Sequence, residues 1–111
     1  MLSKDKRLNL KKDFKWVAAG KKLETQYIKL FIKHGDNKIP KVGIALSSKY
    51  FKKATERNLA KRLVSAAFES LYQSLPTTIN IVALPKHRVI KVKSTDVLLD
   101  LEEGLKKAEV L

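Results

Sequence analysis

The sequence predicts a single α+β domain, a two-layer sandwich with helices packed on a mostly antiparallel sheet. Three observations predict it. Apolar residues recur at helical spacing in three separate stretches, β-rich runs lie between them, and Gly, Pro and Asn/Asp punctuate the junctions. A length of 111 residues is enough for one core without disulfide or metal staples and too short for two ordinary domains, so 1–111 is expected to fold as one unit.

Leu10, Phe14, Val17 and Ala18 fall on one side of a short amphipathic helix, with Lys11, Lys12 and Lys15 between them. Gly20 is placed to close it in a left-handed cap. Residues 21–25 can add a short strand. Gln26 to Lys33 reads as a strand, apolar on both faces and therefore central in its sheet. His34-Gly35-Asp36-Asn37 makes a turn, Val42 to Ser47 a second clear strand, and a hairpin is the simplest connection between the two.

A longer helix is expected from about Ala54 to Gln73, because Ala60, Val64, Ala67, Phe68, Leu71 and Leu75 form one apolar stripe. Pro76 ends it. Ile79 to Leu84 is another strand, stopped by Pro85, and Lys86 to Lys93 is a basic loop. Ser94 or Thr95 is expected to cap a last helix through about Ala108, with Asp96 in its first turn and Lys106 and Lys107 in its last, as the helix dipole favours.

The net charge is +13, a self-repulsion that a polyanionic partner offsets, and nucleic acid leads among such partners. Residues 94–111 hold five acidic and two basic side chains, which leaves 22 basic against six acidic before them. The C-terminal segment is therefore not the binding surface. The absence of cysteine removes a disulfide framework, a thiolate nucleophile and zinc-finger ligation, and fits a reducing, intracellular setting. No apolar run approaches the roughly 18 residues of a membrane span, and the start of the chain has no signal-peptide pattern.

The densest charge lies around the start of the second helix. Lys49, Lys52 and Lys53 precede it and Arg57, Lys61 and Arg62 continue it, with Glu56 the one acidic residue among them. Side chains and helix dipole then both favour phosphate at that end. On the helical net Lys61 follows Arg57 by one turn and Arg62 follows Asn58, so these four are expected to share a side away from the apolar stripe. Asn58 reads either as an RNA contact or as the helix cap. Phe14 and Tyr27 read either as core or as platforms for single-stranded bases. Trp16 lies off the Phe14 stripe, partly exposed or against the last helix. A self-sufficient nuclease would need clustered carboxylates or a placed histidine; His34 and His87 sit in or near loops and the carboxylates are scattered.

These residues resemble the protein subunit of bacterial ribonuclease P. The likeness runs through Arg7-Leu8, Asp13-Phe14 with Val17 and Gly20, Val42-Gly43 with Ser47, and Arg57-Asn58, Lys61-Arg62-Leu63 and Phe68, and continues more weakly in Ile79 to Ala83 and the last helix. The resemblance implies an αβββαβα fold with a left-handed βαβ crossover. It also implies a division of labour in which a catalytic RNA with magnesium removes the 5′ leader of precursor tRNA and the protein supplies no catalytic group. Carried onto this chain, Arg57, Asn58, Lys61 and Arg62 face the catalytic RNA beside Lys49, Lys52 and Lys53. Phe14, Ile28 and Leu30, with Lys61, line a leader cleft between the first helix and the sheet. Magnesium enters through the RNA rather than through protein side chains. The implied partners are that RNA and the precursor leader, in the cytoplasm, with no membrane or protein partner.

The chain departs from the family pattern at Leu59 and Ser65, where basic residues are usual, at Leu30, where tyrosine is often found, and in the glycine-free turn Tyr50 to Lys53, which reads as one residue longer than usual. Another basic RNA-binding domain, ribosomal-protein-like or an RNA chaperone, is the alternative. An independent nuclease using His34 and His87 is a third.

Overall fold

The computed structural model describes residues 2–111. In chain order the elements are α1 (Leu10–Ala18), β1 (Lys21–Glu24), β2 (Ile28–His34), β3 (Lys41–Ile44), α2 (Ala54–Leu71), β4 (Ile79–Pro85) and α3 (Ser94–Lys107), with 3₁₀ turns at Lys4–Lys6, Tyr72–Ser74 and His87–Lys91. This is the αβββαβα order that the resemblance implied.

The sheet order is β1-β2-β4-β3. β1 and β4 each pair antiparallel with β2, and β3 runs parallel to β4. The expected β2–β3 hairpin therefore does not form: β4 lies between those strands, and β3–α2–β4 is a crossover. The Asn37 amide holds the detour in place by donating to the carbonyls of Ile39 at 2.7 Å, Ile79 at 3.1 Å and Thr77 at 3.2 Å. Asn80 at the start of β4 donates to Asn37 Oδ1 at 2.8 Å. Asn80 is buried, and these bonds satisfy its amide where an unpaired one would be costly.

Two apolar clusters flank the sheet. On one face Ile28, Leu30, Ile32, Ile79 and Ile81 meet Val64, Phe68 and Leu71 of α2 and Val97, Leu101 and Leu105 of α3. On the other, Val17, Leu10 and Phe14 of α1 cover Phe31, Val82 and Leu84. Beyond the helix layer expected on one side, α1 thus gives partial cover to the second face. Gly43 makes this possible, since a Cβ there would lie 2.7 Å from Leu10 Cδ2 and 3.2 Å from Leu8 Cβ. The segment before α1 seals the β3 edge, with Arg7 bridging Val42 in parallel and Leu8 N–H donating to Val42 O at 3.0 Å.

Several local expectations change. Gly20 is not left-handed; α1 closes at Ala19 in a right-handed turn (φ −77°, ψ −9°). Glycine is required at 20 because a Cβ would sit 2.4 Å from the Ile32 carbonyl oxygen. The cap of α3 is Lys93 rather than Ser94 or Thr95, and its N–H donates to the Asp96 carboxylate at 3.1 Å. Trp16 packs on Gly35 and under Lys33, whose ammonium is 4.9 Å from the ring centroid, across the sheet from α3.

Asp100 of α3 clamps the β1–β2 turn, accepting from the N–H groups of Gln26 and Tyr27 at 3.0 Å each. Asp100→Ala strands both donors in a partly exposed site and should lower stability by about 1–2 kcal/mol. Urea unfolding checks this, and an unmoved midpoint would show the clamp to be idle.

Candidate nucleic-acid interface

α2 begins after an extended Lys53, so Asn58 is not its cap but an exposed residue in the second turn. At 100° per residue, Arg57, Lys61, Asn58 and Arg62 spread over an arc of roughly 140°. They do not share one side. Asn58 and Arg62 point outward and are exposed, whereas Arg57 and Lys61 border the buried stripe and are half-buried.

Arg57 has a structural task. Its Nη1 donates to the carbonyl oxygens of Phe51 at 2.7 Å and Lys52 at 3.4 Å, which fixes the turn before α2. The turn is anchored a second time by Phe51, fully buried and 5.5 Å ring to ring from His87. Between these anchors Lys49, Tyr50, Lys52 and Lys53 are held exposed around a shallow concavity that His87 and Glu56 also line. The expected basic patch before α2 is thus present, with arginine as its internal brace. Lys61 lines a smaller concavity at the β3 edge with Arg7, Leu8, Leu10 and Ser65. Arg7 joins Lys61 here only through the parallel bridge to β3, a pairing that the local sequence does not reveal.

The cleft expected beside α1 is formed by other residues of β2 than those named for it. Ile28 and Leu30 are fully buried against α2 and α3, on the far face of the sheet, so neither can touch a strand lying beside α1. Alternation along β2 puts Lys29, Phe31 and Lys33 on the α1 side, and Phe31 packs with Phe14 in the α1 cluster. An aromatic ring on the α1 side of β2 is therefore present at Phe31, one position after Leu30. Tyr27, packed on the main core under Arg88, does not enter the cleft.

Beyond Phe14 the cleft continues as a groove of ≈ 410 Å³, lined by Lys29, Ala45, Leu84, Pro85, Lys86, His87 and Tyr50, with Glu24 and Ser47 at its rim. Ala45 and Leu84 belong to the same cluster as Phe14, which makes the two parts continuous. Lys86 pairs with Glu24 at 3.0 Å, and that hydrogen bond, followed by the lysine charge, holds the Glu24 carboxyl below its usual value. Lys61 opens to the other side of this region and does not line the groove.

His34 and His87 lie at opposite ends of the sheet: His34 Nδ1 meets Thr78 Oγ1 at 2.9 Å and His87 faces Glu56 at 3.4 Å. The length of β2 separates them by roughly 20 Å, so they form no pair. Among the described residues no three His, Cys, Asp or Glu side chains converge as metal ligands, and no helix is long and apolar enough to cross a membrane.

A family model described as Ribonuclease P matches residues 2–109. The ribonuclease P protein component of Pseudoalteromonas atlantica is 37% identical over 78 residues, 70% of this chain and 64% of that protein, so the alignment spans just under two thirds of that relative. The ribonuclease P protein component of Nitrosococcus oceani is 31% identical over 91 residues, covering 81% and 76%. Among solved structures, RNase P protein from Thermotoga maritima in complex with 1-(4-fluorophenyl)-2-thiourea shares 30% identity at a TM-score of 0.79, over 90% of this chain and 97% of that one. A Staphylococcus aureus RNase P protein mutant with defective mRNA degradation activity reaches 0.84 at 20% identity, over 97% and 92%, a likeness of fold. With the family matched from residue 2 to residue 109 across this sheet and basic helix, the chain belongs to the ribonuclease P protein family.

Proposed function

We propose that this protein is the non-catalytic subunit of a cytoplasmic ribonuclease P, binding the catalytic RNA and the 5′ leader of precursor tRNA while the RNA performs the cleavage. The observation that carries this reading is the cluster of exposed Lys49, Lys52 and Lys53 ahead of α2, with Arg62 exposed beyond it, beside the groove that Lys29 and Tyr50 line, in a chain of this family. Exposed Arg62 and the lysines of the turn grip phosphates of the catalytic RNA, and Arg57 holds the turn in shape. Neutralising two polyanions lets them approach and releases condensed counterions. Magnesium, a hard cation that needs converging oxygen ligands, is assigned to the RNA. The protein's carboxylates are dispersed or engaged with lysine and backbone N–H groups.

Reconstitution with a bacterial ribonuclease P RNA at low magnesium tests this reading. Leader removal should be stimulated by the protein, and the protein alone should cleave nothing. Absence of stimulation would overturn it, as would cleavage by the protein alone that disappears when His34 and His87 are replaced. Salt provides a second check. If the leader engages three phosphates, affinity for precursor over mature tRNA should fall about 20-fold between 50 and 200 mM salt; a flat response would contradict the charge mechanism.

A further inference from the structure

The far end of the groove carries features that a bare cleft does not need. Tyr50 is 60% exposed, a conspicuous position for an aromatic ring on a turn that is otherwise pinned by Arg57 and Phe51. It forms one wall of the groove, and Lys29 forms another. Across the β1–β2 ladder Lys22 stands opposite Phe31, and Lys29 opposite Glu24, so both lysines project from the groove side of the sheet. The ladder makes the two lysines diagonal neighbours on that face, and the Lys29 ammonium beside Lys22 holds it below the ordinary lysine value. Glu24, the carboxylate nearest to both, is engaged with Lys86. Two ammonium groups side by side repel unless an anion comes between them.

We propose that this end of the groove is a one-nucleotide subsite for single-stranded RNA, in which a base stacks on the Tyr50 ring and the adjoining phosphate bridges Lys22 and Lys29. The volume, ≈ 410 Å³, falls in the range of small-ligand sites. An exposed aromatic facing clustered cations is the combination that single-strand binders use, with stacking that tolerates any base. The inference rests on the function proposed above and adds a position: the leader runs past Phe14 and Phe31 and out beneath Tyr50. A tyrosine on the turn then does for this chain what a longer aromatic row on β2 would otherwise do.

The test uses the reconstituted complex with precursor tRNAs of graded leader length, and with mature tRNA. Tyr50→Ala should weaken long-leader binding roughly 5- to 20-fold, Tyr50→Phe should restore it, and the loss should vanish once the leader is too short to reach the turn. 2-Aminopurine placed along the leader should be quenched at one position by the wild type and by Tyr50→Phe but not by Tyr50→Ala, a signal that a purely structural role of Tyr50 would not produce. Lys22→Gln with Lys29→Gln should flatten the salt dependence by about one phosphate. Wild-type affinity in Tyr50→Ala, or quenching that survives it, overturns the base site, and an unchanged salt slope overturns the phosphate site. In either case a wild-type preference for leader-bearing tRNA leaves the functional reading standing; if the wild type shows no such preference, that reading falls as well.

Discussion

Replacing Lys61 and Arg62 together with alanine is expected to weaken binding to ribonuclease P RNA by about 2–4 kcal/mol, roughly 30- to 900-fold, through the loss of two charge-assisted phosphate contacts. Arg62 is exposed and has no ion-pair partner among the described residues, so a phosphate need displace nothing to reach it. Lys61, half-buried, lines the concavity with Arg7, Leu8 and Leu10, a setting in which a lysine's aliphatic part can pack while its charge stays available. The plot of log affinity against log salt should flatten by about two phosphates. Thermal stability should barely change, since neither side chain braces another element. Titration of the RNA at two salt concentrations decides the matter: unchanged affinity removes α2 from the interface. Arg57→Ala should behave differently, losing RNA affinity and loosening the preceding turn together, because its guanidinium already holds two carbonyls there.

What the sequence made legible follows from where the determining interactions lie. Periodicity located α2 and its buried stripe within a few residues, since 3.6-residue spacing is a local property that packing merely reads out. The pairing of β3 was hidden because its partner, β4, lies some 40 residues away, and nothing in the turn after β2 forbids a hairpin. The hub of Asn37 and Asn80 that routes the chain around the sheet end consists of two unremarkable asparagines until both ends are in place.

The cleft residues were misplaced for a related reason. Tyr27 to Ile32 is apolar on both faces apart from Lys29, so alternation carried little information about which face meets α1, and a one-residue slip exchanges Leu30 for Phe31. The lysines held the missing signal: Lys29 and Lys33 alternate with the buried Ile28, Leu30 and Ile32, and charge belongs on the less covered side. For Arg57 no such signal existed. Its half-buried position follows from the helical angle, but the acceptors it reaches belong to a turn whose path cannot be read from composition. Tyr50 was visible only as part of a basic turn, and gains meaning from the groove that opens beside it.

Phe51 shows how that turn depends on the core, and Phe51→Ala is expected to lower stability by about 3–5 kcal/mol, or roughly 12–25 °C in Tm. The ring is fully buried in the main cluster and lies against His87. Its N–H donates to the Ser47 carbonyl at 2.9 Å and its own carbonyl accepts from Arg57. Truncation leaves a cavity at the joint between β3, α2 and the 3₁₀ turn that carries His87, where three elements must move together to fill it. Phe51→Leu keeps most of the volume and should cost less than about 1.5 kcal/mol. The functional consequence is separable from the global one: below the melting transition, Phe51→Ala should bind RNA more weakly than wild type because Lys49, Tyr50, Lys52 and Lys53 lose their common anchor, whereas Phe51→Leu should not. Calorimetry and RNA titration on both variants measure the two effects, and a Tm within a few degrees of wild type for Phe51→Ala would mean that the turn holds its shape without the ring.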